Sequence, residues 1–192
     1  MANRVAATRS PAADRPAPNS RSRADAKSST TTVLGIDPGL DRTGYAVLNA
    51  GDRRVVDGGL IRTSSRLPLE RRLRELEAGL EEVLADHAID LLAVEELYAH
   101  YKHPRTAILM GHARGVVLLA AARRGLDVVS LPATHVKRTL TGNGHASKSQ
   151  MQRAILATLQ LKELPEPADV ADAMAIAWCA FATGRTEDTE VR

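Results

Sequence analysis

The sequence predicts one α/β domain in which helices pack on a mixed sheet. Apolar runs follow one another as strands over residues 33–63, and later runs alternate with helical segments as far as residue 131. Consecutive strands pair antiparallel, whereas strands separated by helices pair parallel, so both kinds of pairing are expected. With 192 residues, 44% of them hydrophobic, the chain suffices for one domain with a substantial core, and two full domains are not expected.

Short apolar runs bounded by turn residues predict the strands 33–36, 44–48, 54–63, 89–97 and 126–131. Gly58 and Gly59 interrupt the third run, and glycines inside a strand pattern indicate a bulge or a tight turn. The first run ends at Asp37, directly before Pro38 and Gly39. This turn sequence favours a hairpin to the second strand.

A first amphipathic helix is predicted over residues 68–87. Its apolar side chains recur every three or four residues, at Leu69, Leu73, Leu76, Leu80 and Val83. The charged residues between them are expected on a solvated face.

A second helix is predicted from Pro104 to Gly125. Its apolar stripe includes the small residues Gly111, Ala113 and Gly115, which permit close packing on the sheet, on a second copy of the chain, or on both. From residue 132 the pattern is helical, with breaks at 141–147 and 161–169.

Residues 1–32 are rich in alanine, arginine, serine and proline and contain no aromatic residue. This composition predicts a disordered extension, because it cannot bury enough apolar surface to offset chain entropy. Six basic against two acidic residues give the segment +4, so a chain of net charge +3 leaves about −1 for residues 33–192. A basic arm for DNA and a misassigned start codon are both open explanations. A folded domain is predicted over 33–183, followed by a flexible tail at 184–192.

The single cysteine, Cys179, excludes an internal disulfide framework and a four-cysteine zinc site. It lies in the apolar run AMAIAWCAFA and is expected to be buried packing. We expect a reducing, cytoplasmic compartment. No apolar run approaches the ~20 residues of a membrane span, so no membrane partner is expected.

Acidic residues follow two of the predicted strands. Asp37 ends the first, and Glu95 and Glu96 end the fourth. Sites in such sheets form beyond the carboxyl ends of adjacent strands. Asp169 and Asp172 lie three apart at the start of an alanine-rich helix, so both project from one face.

The two helical acids differ in how readily a structural role explains them. Asp169 alone could serve the first helical turn as a cap or dipole partner. Asp172 lies a turn further along among apolar neighbours, where a buried carboxylate needs a cation. Carboxylates without cysteines are hard oxygen ligands suited to Mg²⁺ or Mn²⁺, and two such ions can support phosphodiester cleavage. His100 and His103 lack a third matched ligand and are not expected to bind metal.

Basic residues near these acids are candidates for holding DNA. Lys137 and Arg138 are predicted on a short helix, and Ser147 with Gln150 forms a capping-box pattern at the start of the next. Lys148 then falls in a first helical turn, where backbone N–H groups favour phosphate but a lysine opposes the dipole. Such a local conflict indicates function, although an ordinary surface lysine is the alternative.

Five blocks, GIDPGLDRTGYAV, VEELY, GHARGV, HVKRTLTGNGHASKSQM and ADVADAMAIA, resemble in order and spacing the RuvC family of Holliday-junction resolvases over about residues 33–180. The resemblance implies a ribonuclease-H-like mixed five-stranded sheet with helices on both faces. It implies a metal-binding catalytic tetrad of Asp37, Glu95 (rather than Glu96), Asp169 and Asp172. It also implies DNA contacts by Lys137 and Lys148. Tyr98 stands where many members carry a phenylalanine that stacks at the junction.

The resemblance further implies an endonuclease of homologous recombination and DNA repair that nicks two strands of like polarity symmetrically. The ends would be 5′-phosphate and 3′-hydroxyl, with two Mg²⁺ ions per site and Mn²⁺ as a substitute. The expected partners are four-way junction DNA, a second copy of the chain, and the branch-migration helicase and junction-binding proteins of the same pathway. A ribosomal-RNA-processing nuclease of the same fold and a non-catalytic junction-binding protein are the rival hypotheses.

Overall fold

A computed structural model of the protein describes residues 31–97 and 104–187, with side chains as far as residue 184. The predictions for residues 1–30, Tyr98, His100, His103 and 188–192 lie outside the described residues.

The described residues form five strands and five helices. The strands are β1 Thr32–Asp37, β2 Arg42–Asn49, β3 Arg54–Arg62, β4 Leu91–Glu95 and β5 Asp127–Leu131. The helices are α1 Leu69–Asp86, α2 Pro104–Arg124, α3 Ala133–Thr141, α4 Lys148–Thr158 and α5 Ala168–Glu187. α5 therefore continues four residues past the predicted domain boundary at 183.

The strand order is β3-β2-β1-β4-β5. β1–β2 and β2–β3 are antiparallel, whereas β1–β4 and β4–β5 are parallel, so the mixed sheet is as predicted. This order places the carboxyl ends of β1 and β4 side by side in the middle of one sheet edge.

Alternating strand residues supply two cores, one on each face of the sheet. Val33, Ala46 and Ala93 face α4 and α5, while Leu34 and Val47 face α1 and α2. The helices therefore cover both faces, as predicted.

α5 lies unusually close to the sheet where it crosses β1. A Cβ on Gly35 would lie only 2.2 Å from the carbonyl oxygen of Ala173, so only glycine allows this approach. The close packing fixes the first turns of α5 beside the end of β1.

The irregularity predicted at Gly58 and Gly59 is wrong in position. The register of β2 against β3 shifts between Val47 and Leu48, whereas Gly58 and Gly59 continue the ladder as ordinary strand residues. Gly59 instead leaves room for the Tyr45 ring, because a Cβ at residue 59 would lie 3.0 Å from that ring.

The turn after Asp37 joins β1 to β2 in the predicted hairpin. An unpredicted buried charge supports it: Arg72 of α1 is 8% exposed and not on a solvated face. Its guanidinium donates to the Asp41 carboxylate and to Thr63 Oγ1, at 3.1 Å for the latter. Thr63 Oγ1 in turn donates to the Leu40 carbonyl at 2.5 Å. The turn is therefore held from α1 and β3.

α2 packs on the sheet and on α1 through one face only. Ala113 and Val117 are fully buried there. Gly111 and Gly115 are exposed on the other face, and a Cβ at either would meet no heavy atom within 4 Å.

Cys179 of α5 is fully buried, which confirms the packing role predicted for it. Burial raises the pKa of its thiol, which donates to Thr139 Oγ1 at 3.4 Å. In the part of the chain that the structure describes, no helix combines the length and apolar character needed to cross a membrane.

Candidate active site

Asp37 and Glu95 end the neighbouring parallel strands β1 and β4. Their side chains face the α5 side of the sheet, because Gly35 and Ala93, two residues earlier on each strand, contact α5 or its core. The two carboxylates therefore meet at one edge and on one face.

α5 brings Asp169 and Asp172 to the same place. A Cβ on Gly44, the β2 partner of Asp37, would lie 2.2 Å from the carbonyl oxygen of Asp169. The absence of a side chain at residue 44 thus lets the first turn of α5 settle directly on the sheet. The Asp169 and Asp172 side chains are 25% and 35% exposed, so both remain accessible to solvent.

Burial and the neighbouring acids raise the pKa of Asp37. Burial is the largest cause, followed by repulsion from Glu95, Asp172 and Asp169, and together they raise this pKa to about 7 despite the nearby Lys148. A carboxyl group that titrates near neutrality lies in an environment that disfavours its negative charge. Such environments are typical of functional sites.

Two lysines counter part of this repulsion. Burial and the Asp172 charge raise the pKa of Glu95, while Lys137 lowers it. Burial also raises the pKa of Asp172, which Lys148 and Lys137 lower and Asp169 raises. The acids and lysines therefore act as one electrostatic group.

A cavity of about 250 Å³ lies between the acids and the lysines. It is lined by Glu95, Ala133, Val136, Lys137, Lys148, Met151, Asp172, Ala175 and Ile176. Lys148 Nζ lies 3.9 Å from an Asp172 oxygen. The predicted capping box holds this lysine in place: Ser147 Oγ accepts from the Gln150 N–H at 3.3 Å, and Gln150 Oε1 accepts from the Ser147 N–H at 2.8 Å.

Four predicted or considered residues are not among those that line this cavity: Asp37, Asp169, Arg138 and Glu96. Arg138 is exposed on α3 beside Gly144 and does not line it. Glu96 follows β4, where its backbone N–H donates to the Leu131 carbonyl at 2.9 Å. Glu95 lines the cavity and Glu96 does not.

A protein-family model described as crossover junction endodeoxyribonuclease RuvC matches residues 33–180. The chain belongs to the RuvC family. The RuvC of Rhodopirellula baltica is 54% identical over 153 residues, which are 79% of this chain and 86% of the relative. The RuvC of Desulforamulus reducens is 43% identical over 149 residues, covering 77% and 91%.

Solved RuvC structures share the fold. Thermus thermophilus RuvC in complex with a Holliday junction substrate superposes with a TM-score of 0.75 at 35% identity, over 81% of this chain and 96% of that one. A second T. thermophilus RuvC structure gives 0.74 at 34% identity, over 81% and 97%. The ribonuclease-H-like fold class predicted from the sequence is confirmed.

The donor set of this RuvC-family site fits a hard divalent cation. It consists of carboxylate oxygens whose mutual repulsion a cation would remove, and it contains no thiolate or imidazole. Within residues 31–97 and 104–187, however, no three His, Cys, Asp or Glu side chains are placed together as ligands of one ion. The fit to a divalent cation therefore rests on the chemistry of the donor set.

Sequence reasoning missed one residue that supports the RuvC site. Arg114 of α2 donates from Nε to the Glu95 carbonyl at 3.2 Å and from Nη2 to Ser130 Oγ at 2.7 Å. It thus ties the ends of β4 and β5 together. The sequence signal for Arg114 was its position inside GHARGV, directly after Ala113, which lies on the buried face of the helix.

Proposed function

We propose that this RuvC-family protein resolves Holliday junctions in homologous recombination and DNA repair. It would nick two strands of like polarity symmetrically and leave 5′-phosphate and 3′-hydroxyl ends. The observation that carries the proposal is the convergence of four carboxylates beside two lysines at one sheet edge, where burial and repulsion from the other three acids raise the pKa of Asp37 to about 7. The solved structure of a 35% identical RuvC with a Holliday junction substrate supports it.

Asp37, Glu95, Asp169 and Asp172 would hold the metal, with two Mg²⁺ ions per site and Mn²⁺ as a substitute. When bound, two divalent ions activate water for attack on phosphorus and stabilise the leaving oxygen. The repulsion among these carboxylates explains why they would bind such ions, since each added positive charge lowers the cost of keeping the acids ionised.

Lys137 and Lys148 would bind the DNA backbone next to the acids. Both line the cavity, and Lys148 also lies in the first turn of α4, whose backbone N–H groups favour phosphate oxygens. Arg138, exposed on the same helix as Lys137, would contact DNA outside the cavity. Tyr98, which lies outside the described residues, is proposed to stack at the junction on the family resemblance.

A homodimer would present one site to each of the two equivalent strands. The outward face of α2 supports this arrangement. Ile108 and Leu119 are 62% and 50% exposed there, in line with the open positions Gly111 and Gly115. Association with the branch-migration helicase and junction-binding proteins, and a cytoplasmic location, are proposed on family membership.

The dimer is tested by placing a charge on this face. Leu119→Asp is expected to yield monomers in analytical ultracentrifugation, because it would bury a carboxylate in the interface. Val56→Asp, at a position 41% exposed on β3, is the matched control and should leave the wild-type oligomer. A dimeric Leu119→Asp protein would contradict the use of this face.

The function is tested by cleavage of a four-way junction with a mobile core in Mg²⁺, with products mapped to single nucleotides. Paired nicks at symmetric positions, with 5′-phosphate ends, are expected. A linear duplex of the same sequence and a ribosomal-RNA precursor serve as competing substrates. Preferential cutting of the RNA would support the rival nuclease, and junction binding without cutting in any divalent ion would support a non-catalytic protein.

A further inference from the structure

Two neighbouring arginines stand near the acids without strong partners of their own. Arg42 begins β2 and Arg62 ends β3, and the two are direct cross-strand partners. Like charges at directly opposite positions destabilise an antiparallel pair. Arg42 reaches Asp169 at 3.8 Å with 53% of its side chain exposed. For Arg62, which is exposed, no acidic group of the described residues lies within ion-pair distance.

Both arginines face the same side of the sheet as the acids. Gly44 lies against Asp169 of α5, and Leu60, its cross-strand partner, packs on the α5-side core. Arg42 and Arg62 lie two residues from these positions on their strands, so their side chains project to the α5 side as well.

The strand order places the arginines and the lysines on opposite flanks of the acids. Along the sheet edge, the ends of β3 and β2 carry Arg62 and Arg42, and the ends of β1 and β4 carry the acids. Lys137 and Lys148, on α3 and α4, line the cavity with Glu95, which ends β4 on the side of β1 away from β2 and β3. The sheet edge is therefore negative in the middle and positive on both sides.

We propose that Arg42 and Arg62 bind the phosphate backbone of the cleaved DNA strand on the flank opposite Lys137 and Lys148. This inference rests on the proposed function, since it concerns the same substrate. A guanidinium binds phosphate oxygens through two parallel N–H groups, and phosphate would remove the repulsion between the paired arginines. The strand then runs across the sheet edge from α4, over the acids, to β3.

The strand spacing sets the length of DNA involved. Neighbouring strands lie about 4.8 Å apart, so β3 is roughly 10 Å from β1. At a rise of about 3.4 Å per nucleotide, the arginines would contact phosphates within about three nucleotides of the cut, on one side only.

The first test is junction binding without divalent ions, measured by fluorescence anisotropy over a range of salt concentrations. In Arg62→Gln we expect affinity to fall on the order of 3- to 10-fold and the slope of log affinity against log salt to shrink by about 0.9 per lost phosphate contact. Arg62→Lys, which retains the charge, should keep most of the slope. The matched control is Arg54→Gln, at the other end of the same strand, which should bind as wild type does.

The second test locates the contact by ethylating single phosphates of the junction. At the phosphate that Arg62 contacts, within about three nucleotides on one side of the cut, ethylation should weaken wild-type binding but have no effect on Arg62→Gln. Arg62 is exposed, so the variant should unfold at the wild-type temperature.

Three results would overturn the proposal: an unchanged salt slope, an unchanged ethylation pattern, or an equal loss in Arg54→Gln. Failure of the proposed function is a separate result, because wild-type protein would then leave the junction uncut in Mg²⁺. A wild-type protein that cuts the junction, with Arg62→Gln binding equally well, would refute the arginine contact alone.

Discussion

The two ends of the sheet differ in whether their charged groups have partners of opposite charge. At the end away from the site, charges have local partners: the Asp90 carboxylate accepts from the Thr32 N–H at 2.9 Å, and Arg54 lies 3.6 Å from Asp52. At the site end, the nearest charges to Asp37 are largely other acids, and its pKa is raised to about 7. Charges at the far end thus have local partners, whereas Asp37 at the site end lies mainly among like charges.

Backbone packing brings these like charges together. Gly35 and Gly44 let α5 pack so closely on β1 and β2 that its first turns lie directly beside Asp37. Unfavourable electrostatics that are kept at only one end of the sheet indicate where the functional site lies. The predictions below test that contrast between the two ends, in order of expected effect.

The largest effect is expected when an acid of the site end is neutralised. Asp37→Asn or Asp172→Asn should reduce junction cleavage by about 10³-fold or more, because several kcal/mol of transition-state stabilisation by metal would be lost. Cleavage kinetics and gel-shift binding in parallel should show lost cutting with binding kept. Asp52→Asn, at the opposite end, should cut at the wild-type rate, and full activity in Asp37→Asn would contradict the site.

The pH dependence of stability should also distinguish the two ends. The folded-state pKa of Asp37 is about 7, against an ordinary value of 3.8, so the folded protein binds more protons between these pH values. Metal-free stability should therefore fall as pH rises from about 4 to 7, by a few kcal/mol, with Glu95 and Asp172 acting in the same direction. Urea unfolding in a chelator at pH 5 and pH 7.5 measures this change.

Asp37→Asn should flatten that profile, because it removes the titrating group, and Asp52→Asn should not. Stability that rises with pH over this range in wild-type protein would mean that Asp37 is not in the environment described.

The next largest effect is expected from a side chain added between α5 and β2 at the site end. Gly44→Ala places a Cβ about where the Asp169 carbonyl lies, at 2.2 Å, and should lower the free energy of unfolding by about 1–3 kcal/mol together with cleavage. Gly184→Ala is the control, because a Cβ at this position of α5 would meet no heavy atom within 4 Å. It should stabilise slightly, as alanine does in a helix. Equal denaturation midpoints for both variants would disprove the close approach.

The smallest effect is expected from the support behind Glu95. Arg114→Met leaves the Glu95 carbonyl and Ser130 without their donor, and should lower kcat with little change in junction affinity. Ser130→Ala removes only one of the two hydrogen bonds and should retain more activity. A loss of unfolding free energy of about 1–3 kcal/mol is expected for Arg114→Met. Unchanged single-turnover rates would exclude a positioning role.

The sequence predicted what depends on local pattern. The strands, α1 and α2 with their apolar spacings, the capping box before Lys148 and the burial of Cys179 are all observed. Local pattern singled out Asp37, Glu95 with Glu96, Asp169 and Asp172, because each follows an apolar run or opens an alanine-rich helix, and the family resemblance implied Glu95 rather than Glu96.

What escaped prediction depends on which elements meet in space. The role of Gly59 depends on the Tyr45 ring of a neighbouring strand, and Arg72 is buried because the β1–β2 turn lies over it. Arg114 donates to the Glu95 carbonyl at the end of β4, and the pattern of its own helix does not show which strand it reaches. Residue spacing alone does not reveal such partners.

The close packing of α5 on the sheet also sets the order in which the candidate site can form during synthesis. Two of the four acids and one covering layer of the core arrive with this last helix, some 130 residues after Asp37 has left the ribosome. A nascent chain that has not reached Ala168 carries half the acids on an uncovered sheet. The packing of α5 therefore both covers this face of the sheet and completes the group of four acids.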